Sequence, residues 1–347
     1  MELTAGEQGS LMHAILEKVF IQLKKEPLGA LSNEALEQLE TQTLKSILAA
    51  DDPTFEIFTT SKRFEFITRN LAERVHYALV NMQRGQRENA GIITQGTETT
   101  FGQGLLKPLQ FKMGENLVTV RGKVDRYDMV HNSQRDQNYL AIIDYKSKQR
   151  KFNYTEAFNG LELQLLTYWE AMNLNQTNGM KVQAANFMEL QREIHEPFVQ
   201  TGQETYQFQQ QTAVQESKQE LKYQGLIEDD EGFIEQLEMN DDTPYRIERK
   251  ADGKFKANSD VVTSEKLETL LKYNKAQIKT LAGKILAGKF PIAPYRQGTH
   301  NGLQYTDYRD VIQFDAMLNN KYRDLKSLKA PEALKQMQAK LLEQEGK

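Results

Sequence analysis

The sequence contains no cysteine. That excludes disulfide scaffolds, thiol catalysis, Cys-ligated zinc and iron–sulfur clusters. It lacks an apolar run near the ~18 residues that a membrane-crossing helix needs, and its mean hydropathy is −0.65. No basic-then-apolar leader opens it. It also lacks a cationic excess: 44 Lys and Arg against 48 Asp and Glu give a net charge of −4. A basic protein that coats nucleic acid is thereby excluded, while a local basic groove is not. These absences leave a soluble intracellular globular protein, expected in the cytoplasm. Its 347 residues suffice for one large domain or two modest ones. Asn153-Tyr154-Thr155 and Asn175-Gln176-Thr177 match the glycosylation pattern but carry no weight without a secretory signal.

The opening reads as helical. Leu11, Ile15, Leu16, Val19, Phe20 and Leu23 recur at three and four, with Ser10 as the expected N-cap. Asn33 to Ala50 is a second helix, stopped by Asp51-Asp52-Pro53. Arg63 to Gln83 is a third, carrying Phe66, Leu71, Val75, Leu79 and Met82. From Gly91 the pattern turns extended: 91–94, 97–101, then the two best strands, Asn116 to Val130 and Tyr139 to Lys146, separated by a polar turn. Thr155 to Asn173 reads as an amphipathic helix and Val182 to Leu190 as a strand. This order predicts an α/β fold with a mixed sheet flanked by helices. Gln203 to Glu238 is rich in Gln and Glu and reads as solvated helices or an insertion. Glu265 to Gly288 is a long helix, and a charged helical tail begins near Ala316.

The chemistry concentrates on the two good strands. Side chains alternate faces along a strand, so Arg121, Lys123, Asp125 and Tyr127 share one face of the first. Asp144 and Lys146 share a face of the second. With the strands as antiparallel neighbours, a twist or bulge is needed to bring Asp125 close to Asp144. Two adjacent carboxylates repel unless a cation or a proton intervenes. Mg²⁺ prefers such oxygen ligands together with water and substrate phosphates. A lysine beside the pair suits phosphodiester hydrolysis. An Asp-x-Lys alone arises about once by chance in a chain this size, and by itself reads as a salt bridge at a strand end. Gln164 and Tyr168, at i and i+4 on the following helix, present their polar ends on one face.

Gly122-Lys123-Val124-Asp125-Arg126, Ile142-Ile143-Asp144-Tyr145-Lys146-Ser147 and Gly160-Leu161-Glu162-Leu163-Gln164-Leu165-Leu166-Thr167-Tyr168, in this order, resemble the RecB-like branch of the PD-(D/E)XK nucleases. Within it they look like the C-terminal nuclease domains of the AddB/RexB subunits of bacterial helicase–nuclease complexes. The resemblance runs from Gly9 to about Asp315 and is weakest over Gln203 to Val261. It implies a restriction-endonuclease-like core with helical N- and C-terminal additions. On its own His13 reads as an ordinary helix histidine. The Gly9, His13, Leu16, Glu17 spacing makes it a metal ligand by resemblance, with Asp125, Asp144 and the Tyr145 carbonyl. Lys146 becomes the catalytic lysine alongside Asp125 and Asp144, and Gln164 and Tyr168 the DNA-binding pair. Glu98 matches a recurring family glutamate of unassigned role, and Glu17 is likewise unassigned.

The resemblance further implies Mg²⁺ (or Mn²⁺) as cofactor and single-stranded DNA ends as substrate. It implies an AddA/RexA-type helicase–nuclease as partner, no membrane, and double-strand-break processing on nucleoid DNA. Leu303, Thr306 and Ile312 stand where many relatives carry iron–sulfur cysteines, so the cluster-free type is expected. The chain is expected to be an excised part of a longer subunit. The expected organisation is a helical part over 1–90, the nuclease core over 91–200, an insertion over 201–260, and C-terminal helices over 261–347.

Two other readings stay open: a non-catalytic module that binds DNA or docks the partner, and a free-standing RecB-like phage exonuclease. Gly283-Lys284-Ile285-Leu286-Ala287-Gly288-Lys289-Phe290 nearly spells a phosphate-binding loop, but Phe290 stands where a Mg²⁺-binding hydroxyl belongs, so no ATP site is expected. His76, His131, His195 and His300 lack motif context. A Schiff base on Lys146 is disfavoured by the neighbouring carboxylate. The acidic balance predicts weak DNA affinity at physiological salt.

Overall fold

The computed structural model describes residues 3–24, 26–89, 91–104, 106–176, 179–190, 222–238, 243–318 and 320–345. The first helix, α1 (Ala5–Leu23), is capped by Thr4 and Glu7, which satisfy each other's backbone in a capping box. Ser10, expected as the cap, lies inside the helix and donates to the Gly6 carbonyl at 3.0 Å. Gly6 and Gly9 disguise the true start, because glycine inside a helix costs about 1 kcal/mol relative to alanine. Helices α2 (Asn33–Leu48), α3 (Pro53–Glu56) and α4 (Lys62–Glu88) begin on Ser32, Asp52 and Ser61 caps. The buried face of α4 runs through Phe64, Leu71, Val75, Leu79 and Met82, whereas Phe66 is exposed.

Six strands form the central sheet: β1 (Ile92–Phe101), β4 (Gly122–Asn132), β5 (Gln137–Lys146), β6 (Lys181–Glu189), β7 (Gln224–Glu228) and β8 (Val261–Val262), in that spatial order. β1/β4, β4/β5 and β6/β7 pair antiparallel, and β5/β6 and β7/β8 parallel, so the sheet is mixed. β2 (Leu109–Met113) and β3 (Asn116–Val120) make a separate hairpin. The strand expected over Asn116 to Val130 is therefore two strands, broken at Arg121. Its halves hydrogen-bond to different partners.

The helix expected over Thr155 to Asn173 is also two, α5 (Tyr154–Phe158) and α6 (Gln164–Asn175). Gly160 separates them at φ 75°, a conformation glycine adopts freely. Residues 203–221 lie outside the described residues. The rest of the stretch expected as solvated helices is core structure: β7 and the buried helix α7 (Glu231–Leu237).

Helix α8 (Ser264–Leu286) leads to a small sheet of β9 (Tyr295–Gln297), β10 (His300–Asn301) and β11 (Arg323–Asp324). The short α9 (Arg309–Ile312) lies between its strands in sequence, and α10 (Ala330–Glu345) closes the described chain. The charged tail is thus helical only from Ala330. It packs rather than waves, since Ala333 and Met337 are fully buried. Apolar side chains cover both faces of the sheet. Leu16, Val19 and Leu79 meet Ile143 and Ala184 on one face. Leu166, Trp169, Leu270 and Met337 meet Val124, Ile142 and Ala185 on the other. Among the described residues no helix is long and apolar enough to cross a membrane.

Asp260, just before β8, accepts the Gly225 N–H at 2.8 Å. Burial pushes its carboxyl up to about 6. A raised carboxyl contributes stability that is full below the unfolded value near 4 and lost as pH rises through about 6. Asp260→Asn is therefore expected to raise stability at pH 8 by roughly 1–2 kcal/mol, allowing for partial exposure. The gain should shrink toward pH 4. Thermal melts across this range check it, and a pH-independent difference would contradict it.

Candidate active site

The β4/β5 register runs to Arg126↔Ile143. Asp125 and Asp144 are the next residues at that same end of the two strands. The break at Arg121 puts Asp125 near the start of β4 rather than past the middle of a longer strand, and alternation is irregular there, because Val124 packs on the Ile142 face while Arg126 reaches Met82 and Tyr145 on the other. The Tyr145 N–H donates to Asp125 Oδ2 at 2.8 Å, so the Asp125 carboxylate reaches across to β5 beside Asp144. The Tyr145 backbone thus sits at the site, while its buried ring packs edge-on against His13, with centroids 5.5 Å apart, and its hydroxyl accepts from Arg126 Nη1 at 3.3 Å.

Asp144 is 1% exposed. The Lys146 ammonium lies against its Oδ2, and among the described residues its Oδ1 has no hydrogen-bond partner. Burial, and then the Asp125 charge, push Asp144 up to about 6, against the pull of Lys146. Asp125 is raised for the same first reason, burial, with Glu98 adding repulsion.

His13 comes from α1. Its Nδ1 stands 3.4 Å from Glu98 Oε1 and 3.8 Å from Asp125 Oδ1. Burial disfavours the imidazolium, but Glu98, Asp125 and Asp144 together outweigh it and raise the pKa of His13 above its ordinary value. Glu98 lies on β1 between the pairs Thr97↔Arg126 and Thr99↔Val124, facing Asp125. Its φ is 45°, a left-handed backbone that costs a non-glycine residue energy and turns its side chain out of regular alternation. Burial opposes its ionisation, but His13 and Lys123 hold its carboxyl below the ordinary value. Lys123 caps it with an ion pair. Glu17 stands on the wall of the same cleft, raised by burial and by Glu98.

His13, Glu98 and Asp125 offer ligand atoms within 4.8 Å of one another. Ligand atoms about 2.1 Å from an octahedral ion lie roughly 3–4 Å apart, so small side-chain movements close this set on a cation. Among the described residues, Asp144 Oδ1 is buried without a hydrogen-bond partner, and Glu98 Oε1 has only the long contact to His13. A buried carboxylate oxygen left so is costly unless a cation takes it. The residues fit a hard divalent ion. Of the expected ligands, His13 and Asp125 come together. Asp144 stands beside them outside that trio, and Glu98 joins it.

Gln164 and Tyr168 face each other one turn apart on α6. Lys146 Nζ donates to Gln164 Oε1 at 3.0 Å, and Gln164 Nε2 donates to the Tyr168 hydroxyl at 2.9 Å. Burial pushes the Tyr168 phenol up to about 12, and its ring lines the cleft. Sequence reasoning passed over Arg150, which clamps the buried Glu162 through Nε and Nη2 at 3.1 and 2.8 Å and stacks over Phe187. It also passed over Lys123 as a site residue, although strand alternation puts it on the Asp125 face. Nothing in the sequence marks Phe55, which completes the cleft from α3.

The sequence model of the PD-(D/E)XK nuclease superfamily matches residues 2–300. Among curated proteins, the chain is 34% identical to an ATP-dependent helicase/deoxyribonuclease subunit of Lactiplantibacillus plantarum, over 96% of this chain and 29% of that protein. It is 31% identical to the subunit of the same name from Leuconostoc citreum, over 95% and 29%. The corresponding Clostridium kluyveri subunit is 29% identical over 98% and 30%. The chain spans less than a third of the length of these relatives. The family match covers every strand of the central sheet and each element that lines the cleft, and the chain belongs to the PD-(D/E)XK nuclease superfamily.

Proposed function

We propose that this chain is a Mg²⁺-dependent DNA exonuclease domain, with Mn²⁺ able to substitute. The observation that carries the reading is the convergence of Asp125 and Asp144 beside Lys146, with His13 and Glu98 brought in from two other elements. His13, Asp125, Asp144 and the Tyr145 carbonyl, together with Glu98, would hold the ion. When bound, the ion supplies a water activated at neutral pH and neutralises charge on the phosphate. Lys146 sets its ammonium beside the scissile phosphate and balances charge developing on its oxygens. Gln164 holds the Lys146 ammonium, and Tyr168 holds Gln164, so this pair orients the lysine from one side. Tyr168, which lines the cleft, is on this reading the member of the pair that meets DNA. The products are a 5′-phosphate and a free 3′-hydroxyl.

The relatives' name supports a wider setting, that of one subunit within an ATP-dependent helicase/deoxyribonuclease. In that setting a helicase–nuclease partner delivers single-stranded ends to this domain in the cytoplasm during double-strand-break processing and recombination. Titration calorimetry tests the metal centre. Mn²⁺ should bind at pH 7.5 and bind at least tenfold more weakly at pH 5.5, where protons on His13 and Asp144 compete with it. Absent or pH-independent binding would sink the reading.

A further inference from the structure

Gly6, Gly9, Ser10, His13 and Glu17 fall at helical spacing on one face of α1, and all of them line the cleft of about 600 Å³ that holds the site. A Cβ added at Gly9 would meet nothing within 4 Å. One at Gly6 would meet only Thr4 Oγ1, at 3.8 Å. Neither residue has the positive φ that calls for glycine. Among the described residues, then, neither space nor backbone conformation requires glycine at these positions, and both weaken the helix that carries His13. What they leave is a strip of bare helix backbone facing the cleft, which a ligand can approach more closely than any side chain would allow.

The strip does not end blindly. It runs to His13 and to Glu98, whose side chain is 9% exposed and whose buried Oε1 has, among the described residues, only the long contact to His13 Nδ1 at 3.4 Å. The same cleft is also lined by Phe55, Tyr168 and Lys123, the last ion-paired to Glu98 with its side chain 56% exposed. Rings and a lysine in one cleft with a smooth strip of backbone suit an extended anionic chain whose bases stack on one side. A cleft of this volume accommodates a short stretch of a single strand.

We propose that the Gly6–Gly9–Ser10 face of α1 is a track for the sugar–phosphate backbone of an unpaired DNA strand, leading its phosphodiester to His13, Asp125 and Asp144. The proposal rests on the nuclease reading above, single-stranded substrate included, and adds the surface that holds the strand.

The test is fluorescence polarisation with a labelled oligothymidylate at low salt, in an Asp144→Asn background that stops cleavage. Gly9→Gln, which fills the strip with a good helix former, should raise Kd at least tenfold. Ser10→Gln, on the same face, should act in the same direction. Gly9→Ala should weaken binding less and melt at or above the temperature of the parent. An unlabelled duplex of equal length should compete at least tenfold less well than the single strand. Parent-like affinity in both Gln variants, no oligonucleotide binding by the parent, or a lowered melting temperature in Gly9→Ala would each overturn the track. The last would mean that the fold itself needs the glycine. Mn²⁺ calorimetry on Gly9→Gln with Asp144 intact separates the two readings. Retained Mn²⁺ binding with parent-like DNA affinity overturns the track alone. DNA binding that the Gln variants weaken, in a chain that takes no Mn²⁺, overturns the metal centre and leaves the track standing.

Discussion

Asp144→Asn is expected to remove DNA hydrolysis by at least about 10³-fold, equivalent to ~4 kcal/mol of transition-state stabilisation, while the protein stays folded. The substitution keeps the shape of a side chain that is 1% exposed and deletes its charge. On the proposed nuclease reading that charge helps to hold the cation, and Lys146 loses the anion that fixes it from one side. Stability should move the opposite way in the absence of metal. The Asp144 carboxyl is raised to about 6, so its contribution to stability is full below the unfolded value near 4 and lost as pH rises through about 6. At pH 7.5 in EDTA the variant should therefore melt no lower than the parent. Added Mg²⁺ should raise the melting temperature of the parent by mass action and leave that of the variant almost unchanged. A variant that loses activity only because it unfolds would show none of this pattern.

Asp128→Ala is expected to cost about 3–5 kcal/mol of stability, a large share of what a domain has. Arg126 is almost fully buried. Its Nη2 donates to Asp128 Oδ2 and to the Tyr223 hydroxyl, both at 3.1 Å, and its Nη1 to the Tyr145 hydroxyl at 3.3 Å. The guanidinium also stacks on Phe20. Removing Asp128 strands a cation in the core and takes the acceptor from Thr94 Oγ1, which donates to Asp128 Oδ1 at 2.8 Å. Arg126→Met together with Asp128→Leu should recover most of the loss, because the penalty is an uncompensated charge rather than a missing attraction. Urea unfolding with unchanged m-values measures both. A single-variant loss below about 1 kcal/mol would contradict this account of the network. The network is also close to the chemistry in sequence: Arg126 follows Asp125, and Tyr145 follows Asp144.

Much of the sheet was legible because its signals are local. The apolar β-branched run within Tyr139 to Lys146 and the polar turn before it specified the β4/β5 pair, and with it the neighbourhood of Asp125 and Asp144. The errors also have local causes. Thr4 was missed as a cap because two glycines interrupt the helical pattern behind it. Gly160 divides a helix whose apolar spacing continues past it. Arg121 looks like any strand residue, and only the choice of pairing partners breaks the strand there. Gln224 to Glu228 read as solvated because composition suggests exposure, whereas β6 supplies the ladder that buries it. The site was legible as residue types and not as an arrangement. His13 and Glu98 lie on different elements, and no periodicity brings a helix histidine to a strand glutamate. The chain of contacts from Lys146 to Gln164 to Tyr168 likewise spans a loop whose path the sequence does not specify. Resemblance supplied His13 and Glu98, and gave Gln164 and Tyr168, already singled out by their spacing, a part in binding DNA. The geometry places Glu98 beside His13 and Asp125 and adds Lys123.

The most direct test of the central reading is a time course of single-stranded DNA labelled at either end, incubated with this chain in Mg²⁺, in EDTA, and as Asp144→Asn. The account predicts release of short products in Mg²⁺, none in EDTA, and at least a 10³-fold slower release by the variant, with the favoured label revealing the polarity. Equal release by the parent and Asp144→Asn, or release that persists in EDTA, would contradict it.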